Sequence, residues 1–211
     1  MKNQITMSEF ADYINKYFDS KNITNIIEIG SLDGKDACFL KEKYQNANVY
    51  AIEGLEFNYE KYLKNLNNIN CFNIIINEYD GFVNYYKKEI NGIHGIFDRG
   101  SIYKGEILKN KQCRKIKTFA LENNITSLDV LKIDVEGATL EVLKSAEEMV
   151  DTIKIMHIET ESFEFFKNQK LHQKVVEFLQ DKFSIIDISE VEIEKNKYQH
   201  DSVWINKTYL K

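Results

Sequence analysis

Residues 23–34 read ITNIIEIGSLDG, an apolar, β-branched run that ends in two glycines four residues apart, Gly30 and Gly34. A run of this kind suits a strand buried on both faces. The glycines mark a tight turn where backbone can approach a ligand, and the helix expected over 35–45 would point its first amides at that ligand. Working outward, residues 49–53, 71–77, 128–134 and 153–159 are further short apolar runs. Helical periodicity recurs between them, over 56–66, 138–149 and 169–181. Strands alternating with helices predict an α/β fold with a mostly parallel sheet and helices on both faces.

The ends of the chain break the alternation. Thr6 and Glu9 have capping-box spacing, and Phe10, Ile14 and Phe18 follow at helical intervals, so the segment 1–22 holds an N-terminal helix over 7–20. Residues 183–188 and 201–205 form a closing hairpin joined by a polar loop. Asp80-Gly81 signals a turn, and 82–88 a small extra hairpin arm. Residues 91–112 hold four of the nine glycines and little periodicity, which predicts a mobile loop. Its Asp98-Arg99-Gly100-Ser101 and Tyr103 would form either a lid or plain surface. Residues 116–123 read as a strand end and a short helix. His172 sits at a predicted helix surface and reads as solvated.

Length and composition limit the alternatives. The 211 residues suffice for one domain, 1–211, with its own core, and no repeat or linker divides them. A net charge of −5 gives no footprint for nucleic acid. No apolar run is long enough for a membrane span, and the N-terminus lacks the apolar stretch of a signal peptide. Cys38, Cys71 and Cys113 are widely spaced and odd in number, which argues for a reducing, cytoplasmic setting. Nothing in the sequence sets the oligomeric state.

The glycine loop reads E-x-G-x-x-x-G, Glu28 to Gly34, and lacks the middle glycine of a dinucleotide fingerprint. Asp33 in that loop would repel a phosphate but suits a sulfonium or ammonium group. Glu53 ends the second strand, about 20 residues on, where an acid grips ribose hydroxyls. Gly54 follows it. Asn77, at the end of the third strand, could meet an adenine edge with its paired donor and acceptor, or simply form a turn.

The stretch Leu131-Lys132-Ile133-Asp134-Val135-Glu136-Gly137 follows Asp129 and leads into a helix containing Val142-Leu143. It resembles the D-x-L-K-I-D-V-E-G signature of the FkbM family of S-adenosylmethionine (SAM)-dependent methyltransferases. The resemblance runs over residues 23–207. It takes in the E-I-G and I-E-G strand ends, Ile158-Glu159, and the segment Asp201-Ser202-Val203-Trp204-Ile205. Ser31-Leu32 stand where many members have Ala-Asn, and Thr139 where many have Glu. The resemblance implies a Rossmann-like class I methyltransferase fold, a seven-stranded sheet with the last strand antiparallel. It implies SAM held by Glu28, Gly30, Ser31, Asp33, Gly34, Glu53, Gly54, Asn77 and Asp134. It also implies O-methylation of a sugar, glycan or small natural product.

A hydroxyl acceptor needs a base. Asp134, at the rim of the glycine loop, is the first choice for placing the acceptor or taking its proton, and Glu136 could hold the local loop. His157, Glu159 and Glu161 alternate onto one face of the next strand. Glu159 reads as an active-site acid, and His157 as either a base or a hydrogen-bonded core residue. Phe163, Phe165 and Phe166 could line an acceptor pocket or belong to the core. No residues show metal-ligand spacing, although Asp134 and Glu159 could offer oxygens to Mg²⁺. The rival functions are an NAD-dependent oxidoreductase and a SAM-binding module without turnover.

Overall fold

The computed structural model describes residues 4–100 and 104–210; Ser101 and Tyr103 of the predicted lid lie outside them. In chain order the strands are β1 (Asn25–Ile29), β2 (Asn48–Glu53), β3 (Asn70–Asn73), β4 (Ile75–Ile76) and β5 (Gly81–Lys88). They continue as β6 (Gly105–Arg114), β7 (Val130–Ile133), β8 (Ile155–Glu161), β9 (Phe183–Glu194) and β10 (Lys197–Asn206). Seven form one sheet in the order β3-β2-β1-β7-β8-β10-β9. Neighbours are parallel except that β10 pairs antiparallel with both β8 and β9. The Rossmann-like sheet with a reversed last strand is therefore present.

The helices are α1 (Met7–Tyr17), α2 (Lys35–Lys43), α3 (Glu56–Asn58), α4 (Ile116–Glu122), α5 (Thr139–Ser145) and α6 (His172–Leu179). The capping box of α1 forms as expected: Glu9 N–H donates to Thr6 Oγ1, and Thr6 N–H donates to a Glu9 carboxylate oxygen. Phe10 and Ile14 of α1 and Leu40 of α2 bury one face of the sheet. Phe119 of α4, Leu140 and Leu143 of α5 and Val175 of α6 bury the other. No helix of the described residues is long and apolar enough to cross a membrane.

Four segments differ from the sequence expectation. The third strand stops at Asn73, whose side-chain amide donates to Glu53 O; the chain then leaves the main sheet, and Ile75-Ile76 pair with β6 instead. Residues 105–112, read as loop, belong to β6, which pairs antiparallel with β5. Most of this strand's side chains are exposed, so Lys, Glu and Asn replace the apolar alternation that would have marked it. The polar loop expected over 189–200 is a continuation of β9 and β10, paired as far as Lys197 and Glu194. The alternation of Val191 and Ile193 with glutamates was the sign of it. The expected helix over 56–66 is α3 followed by one π-helical turn (Tyr59–Leu63), closed by Lys64 N–H donating to Tyr59 O at 2.9 Å.

Candidate active site

β1 and β7 run side by side, and their C-terminal turns touch. Gly30 has φ +86°, and a Cβ there would lie 1.7 Å from the Asp134 carbonyl oxygen. Only glycine permits this approach. The Gly30 and Ser31 amides both donate to Ile52 O. Leu32 is left-handed, with φ +49°, and its amide donates to Glu53 Oε2 at 2.8 Å. The other carboxylate oxygen accepts the Leu55 amide at 2.7 Å. Glu53 thus clasps the loops after β1 and β2 and still presents lone pairs to the space above them.

That space is a cavity of about 280 Å³ at the C-terminal ends of the parallel strands. Gly30, Leu32, Glu53, Gly54 and Asp134 form part of its floor, and Ile75, Tyr85, Gly92, His94 and Ile96 close it from the small sheet β4-β6-β5 and the segment after it. Asn58 also lines it. This residue is only 1 % exposed, bonds Glu53 through its side chain, and leaves Oδ1 without a hydrogen-bond partner. A buried polar oxygen without a donor is costly.

Acids gather at the other end of the cavity. Asp134, Glu136 and Glu159 bring one carboxylate oxygen each to within 4.8 Å of one another. Glu136 has φ +53°, a second strained non-glycine residue in the wall. Glu136 and Glu159 also line an adjoining cavity of about 210 Å³, with Glu161, Arg99, Phe165 and Phe166. Arg99 lies 3.4 Å from Glu136 and 5.1 Å from the Phe166 ring centroid. Glu161 accepts from the Gln169 amide.

Beneath the floor, the Lys132 ammonium is 3.3 Å from Glu28, 3.1 Å from Asp36 and 3.8 Å from Asp134. Burial pulls its pKa down, but those three acids more than offset this and hold it above the usual range. Lys132 is a buried tether that nothing in the strand pattern distinguished from an ordinary exposed lysine.

The other predicted residues do not line the cavity. Glu28 is buried against Lys132, and Ser31 Oγ donates to Glu28 O. Asp33 pairs with Lys35, and Gly34 caps α2. Asn77 bonds the backbone of Arg114 and lies in a different recess. His157 is 5 % exposed, 2.6 Å from Asp201 and against the Phe10 ring. Asp201 also accepts the Ile5 amide, so this pair fastens the N-terminal segment to β8 and β10. His172, read as solvated, stacks on His200 and bonds Thr160.

Burial raises several of these acids. It lifts Glu28 to about 7 against the pull of Lys132. It lifts Glu53 to about 6 against the Leu55 and Leu32 amides. Burial and then the Asp134 charge lift Glu161 to about 7 and Glu136 to about 8. Burial, with Asp134, Glu136 and Glu161 beside it, raises Glu159 well above the usual range. Acids raised in the folded state stabilise it at low pH, and that stability is lost as pH rises through the folded value. Burial lowers His94, His172 and His200, an opposite effect confined to lower pH. From about pH 6.5 to 8.5 the ligand-free protein should therefore lose on the order of a few kcal/mol, at about 1.4 kcal/mol for each tenfold difference in proton affinity between the folded and unfolded chain. Thermal unfolding across that range checks this; a midpoint that climbs with pH would contradict it.

A search of curated protein sequences found no match to the chain. Solved structures resemble it in fold. The M. capricolum TrmK complex with S-adenosylhomocysteine aligns with a TM-score of 0.51 at 15% identity, covering 97% of this chain and 70% of that one. A putative rRNA-methylase from Clostridium thermocellum gives 0.53 at 12% identity, covering 98% and 100%. The fibrillarin/Nop5p complex gives 0.53 at 12%, covering 90% and 74%. A family model, that of the methyltransferase FkbM domain, matches residues 28–185, a span that holds the glycine loop, Glu53 and the acids from Asp134 to Glu161. The chain belongs to the FkbM methyltransferase family.

Proposed function

We propose that the protein transfers a methyl group from SAM to a hydroxyl of a sugar or small natural product. The observation that carries the cofactor half is the pair of Glu53 carboxylate oxygens, held by the Leu32 and Leu55 amides in the cavity wall over the Gly30 turn. Ribose hydroxyls or an adenine amine would donate to those oxygens. Asp134, Glu136 and Glu159 at the other end of the cavity suit a sulfonium and an ammonium group. The same acids would repel a pyrophosphate, which counts against NAD.

When bound, SAM supplies an electrophilic methyl group to an acceptor aligned with it. The chain's own work is to orient the two and manage the acceptor proton. Glu159 lines both the cofactor cavity and the adjoining one with Phe165 and Phe166, which supports a position for it between donor and acceptor. Burial and the neighbouring acids raise its pKa, so that once ionised it is a stronger base than an exposed carboxylate. Asp134, beside it, positions the acceptor hydroxyl.

Calorimetry with S-adenosylhomocysteine and NADH, followed by a methylation screen, tests this reading. Binding of S-adenosylhomocysteine alone is expected. NADH binding in its place would revive the oxidoreductase reading, and SAM binding without any turnover would favour a binding module. Once an acceptor is known, Glu159→Gln should lower kcat about 10²–10⁴-fold with S-adenosylhomocysteine affinity unchanged. Unchanged kcat would remove Glu159 from proton transfer. Asp134 and Glu136 already have Lys132 and Arg99 beside them, so chelation should leave turnover intact; loss restored by Mg²⁺ would assign the three acids to a metal.

A further inference from the structure

Tyr85 sits where β5 breaks its regular pairing. The register with β6 shifts between Val83 and Tyr85, and an irregularity of this kind re-aims the side chains beside it. The Tyr85 ring joins Leu55, Ile75 and Cys113 in a small core and also lines the cofactor cavity. A Cβ on Gly54 would lie 3.0 Å from ring atom Cε2 and 3.2 Å from Cζ, the atom that bears the hydroxyl. The Gly54 backbone is not left-handed, so what glycine supplies there is room for the phenol. The hydroxyl end of Tyr85 therefore rests beside the residue that follows Glu53.

Phenylalanine would fill this small core equally well, and the fold makes no use of the extra oxygen. Tyr85 is 7 % exposed, and its hydroxyl has no hydrogen-bond partner among the described residues. Buried tyrosine hydroxyls usually find one. Unlike Asn58 Oδ1, this oxygen is not sealed from solvent. His94, the other polar side chain in the roof of the cavity, is already engaged. Its Nδ1 accepts the Lys88 amide at 3.0 Å, and its Nε2 lies 3.1 Å from Asn91 Oδ1. The charges acting on the phenol are those of Glu53 and then Glu136, both in the cavity wall. With burial, they raise its pKa well above the usual range, so it stays a donor. A ribose hydroxyl that gives its proton to Glu53 still offers lone pairs to a second donor. Hydrogen bonds linked in this way strengthen one another.

We infer that Tyr85 is a cofactor-binding residue supplied by the small sheet: its hydroxyl donates to a ribose oxygen of SAM whose own proton goes to Glu53. The contact rests on the cofactor reading above and deepens it. Glu53 belongs to the large sheet and Tyr85 to the small one, so the ribose is held from both sides of the cavity.

Tyr85→Phe removes the oxygen and keeps the ring. Thermal unfolding of the ligand-free variant should match wild type or lie slightly above it, because no group of the fold loses a partner. Calorimetry should show S-adenosylhomocysteine binding weakened about 3–10-fold, the size of one hydrogen bond between neutral groups. Binding of 5′-methylthioadenosine, which keeps the ribose and lacks the amino-acid arm, should weaken by the same factor. Affinities unchanged by the substitution would overturn the contact. Weakening of S-adenosylhomocysteine alone would move the hydroxyl to the amino-acid arm and overturn the ribose assignment. A variant that melts lower than wild type and binds both ligands less well would assign the hydroxyl to the fold instead. Wild-type protein that bound neither ligand would sink the cofactor reading, and the contact with it.

Discussion

Gly30→Ala should cost the folded protein about 4 kcal/mol or more, enough to lower Tm by roughly 8–16 °C in a chain of this length. Two effects add. An alanine at φ +86° pays the left-handed penalty of about 1–2 kcal/mol. Its Cβ would also fall 1.7 Å from the Asp134 carbonyl oxygen and 2.7 Å from the carbonyl carbon. Both are backbone atoms, so one strand end must move away from the other. Gly34→Ala is the internal comparison. Its φ is +73°, but the nearest obstacle, 2.7 Å away, is the Leu66 Cδ1 methyl, the free end of a side chain. That variant should lose only about 1–2 kcal/mol. Thermal unfolding of both variants decides the matter. If Gly30→Ala melted no lower than Gly34→Ala, the close contact between the two loops would be wrong.

Glu53→Gln should weaken S-adenosylhomocysteine binding by about 100-fold or more. Hydrogen bonds to a charged group contribute about 1.5–3 kcal/mol each, and two ribose hydroxyls can meet this carboxylate. Glutamine replaces one acceptor oxygen with an NH₂ group, which would confront either the Leu32 or the Leu55 amide. Binding should also carry a pH signature in the wild type. With Glu53 raised to about 6, affinity should fall as the pH drops through that value and the carboxylate takes up a proton. Calorimetry at a series of pH values shows both effects. An affinity in Glu53→Gln within a few-fold of wild type would remove Glu53 from the ribose site.

The sheet was legible because its inner strands leave little choice. Residues of β1 and β7 are buried on both faces and therefore mostly apolar, with Glu28 and Lys132 beside one another as the buried charges among them. Gly30, Glu53 and Asp134 were legible for a related reason: each ends such a strand, and strand ends meet at one rim. Legibility failed where one side of an element faces water. β6 is mostly exposed, so its strand character was hidden in a charged sequence. Asn58 lies in the stretch Glu56-Phe57-Asn58-Tyr59-Glu60, where nothing marks one polar residue as buried. Its place in the cavity follows from α3 and the π-helical turn beyond it, which no periodicity announced. His157 could be assigned to core or catalysis only once Asp201 was seen beside it, 44 residues later in the chain.

Among the described residues, the small sheet β4-β6-β5 shares no ladder of strand pairing with the large one. Side chains such as Ile75 and Tyr85, set against Gly54, meet across the seam between them. The cavity lies on this seam, floored by one sheet and closed by the other. Apolar contacts slide at far lower cost than a ladder of hydrogen bonds can be broken. A molecule bound there would touch both sheets and join across the seam what backbone pairing leaves separate.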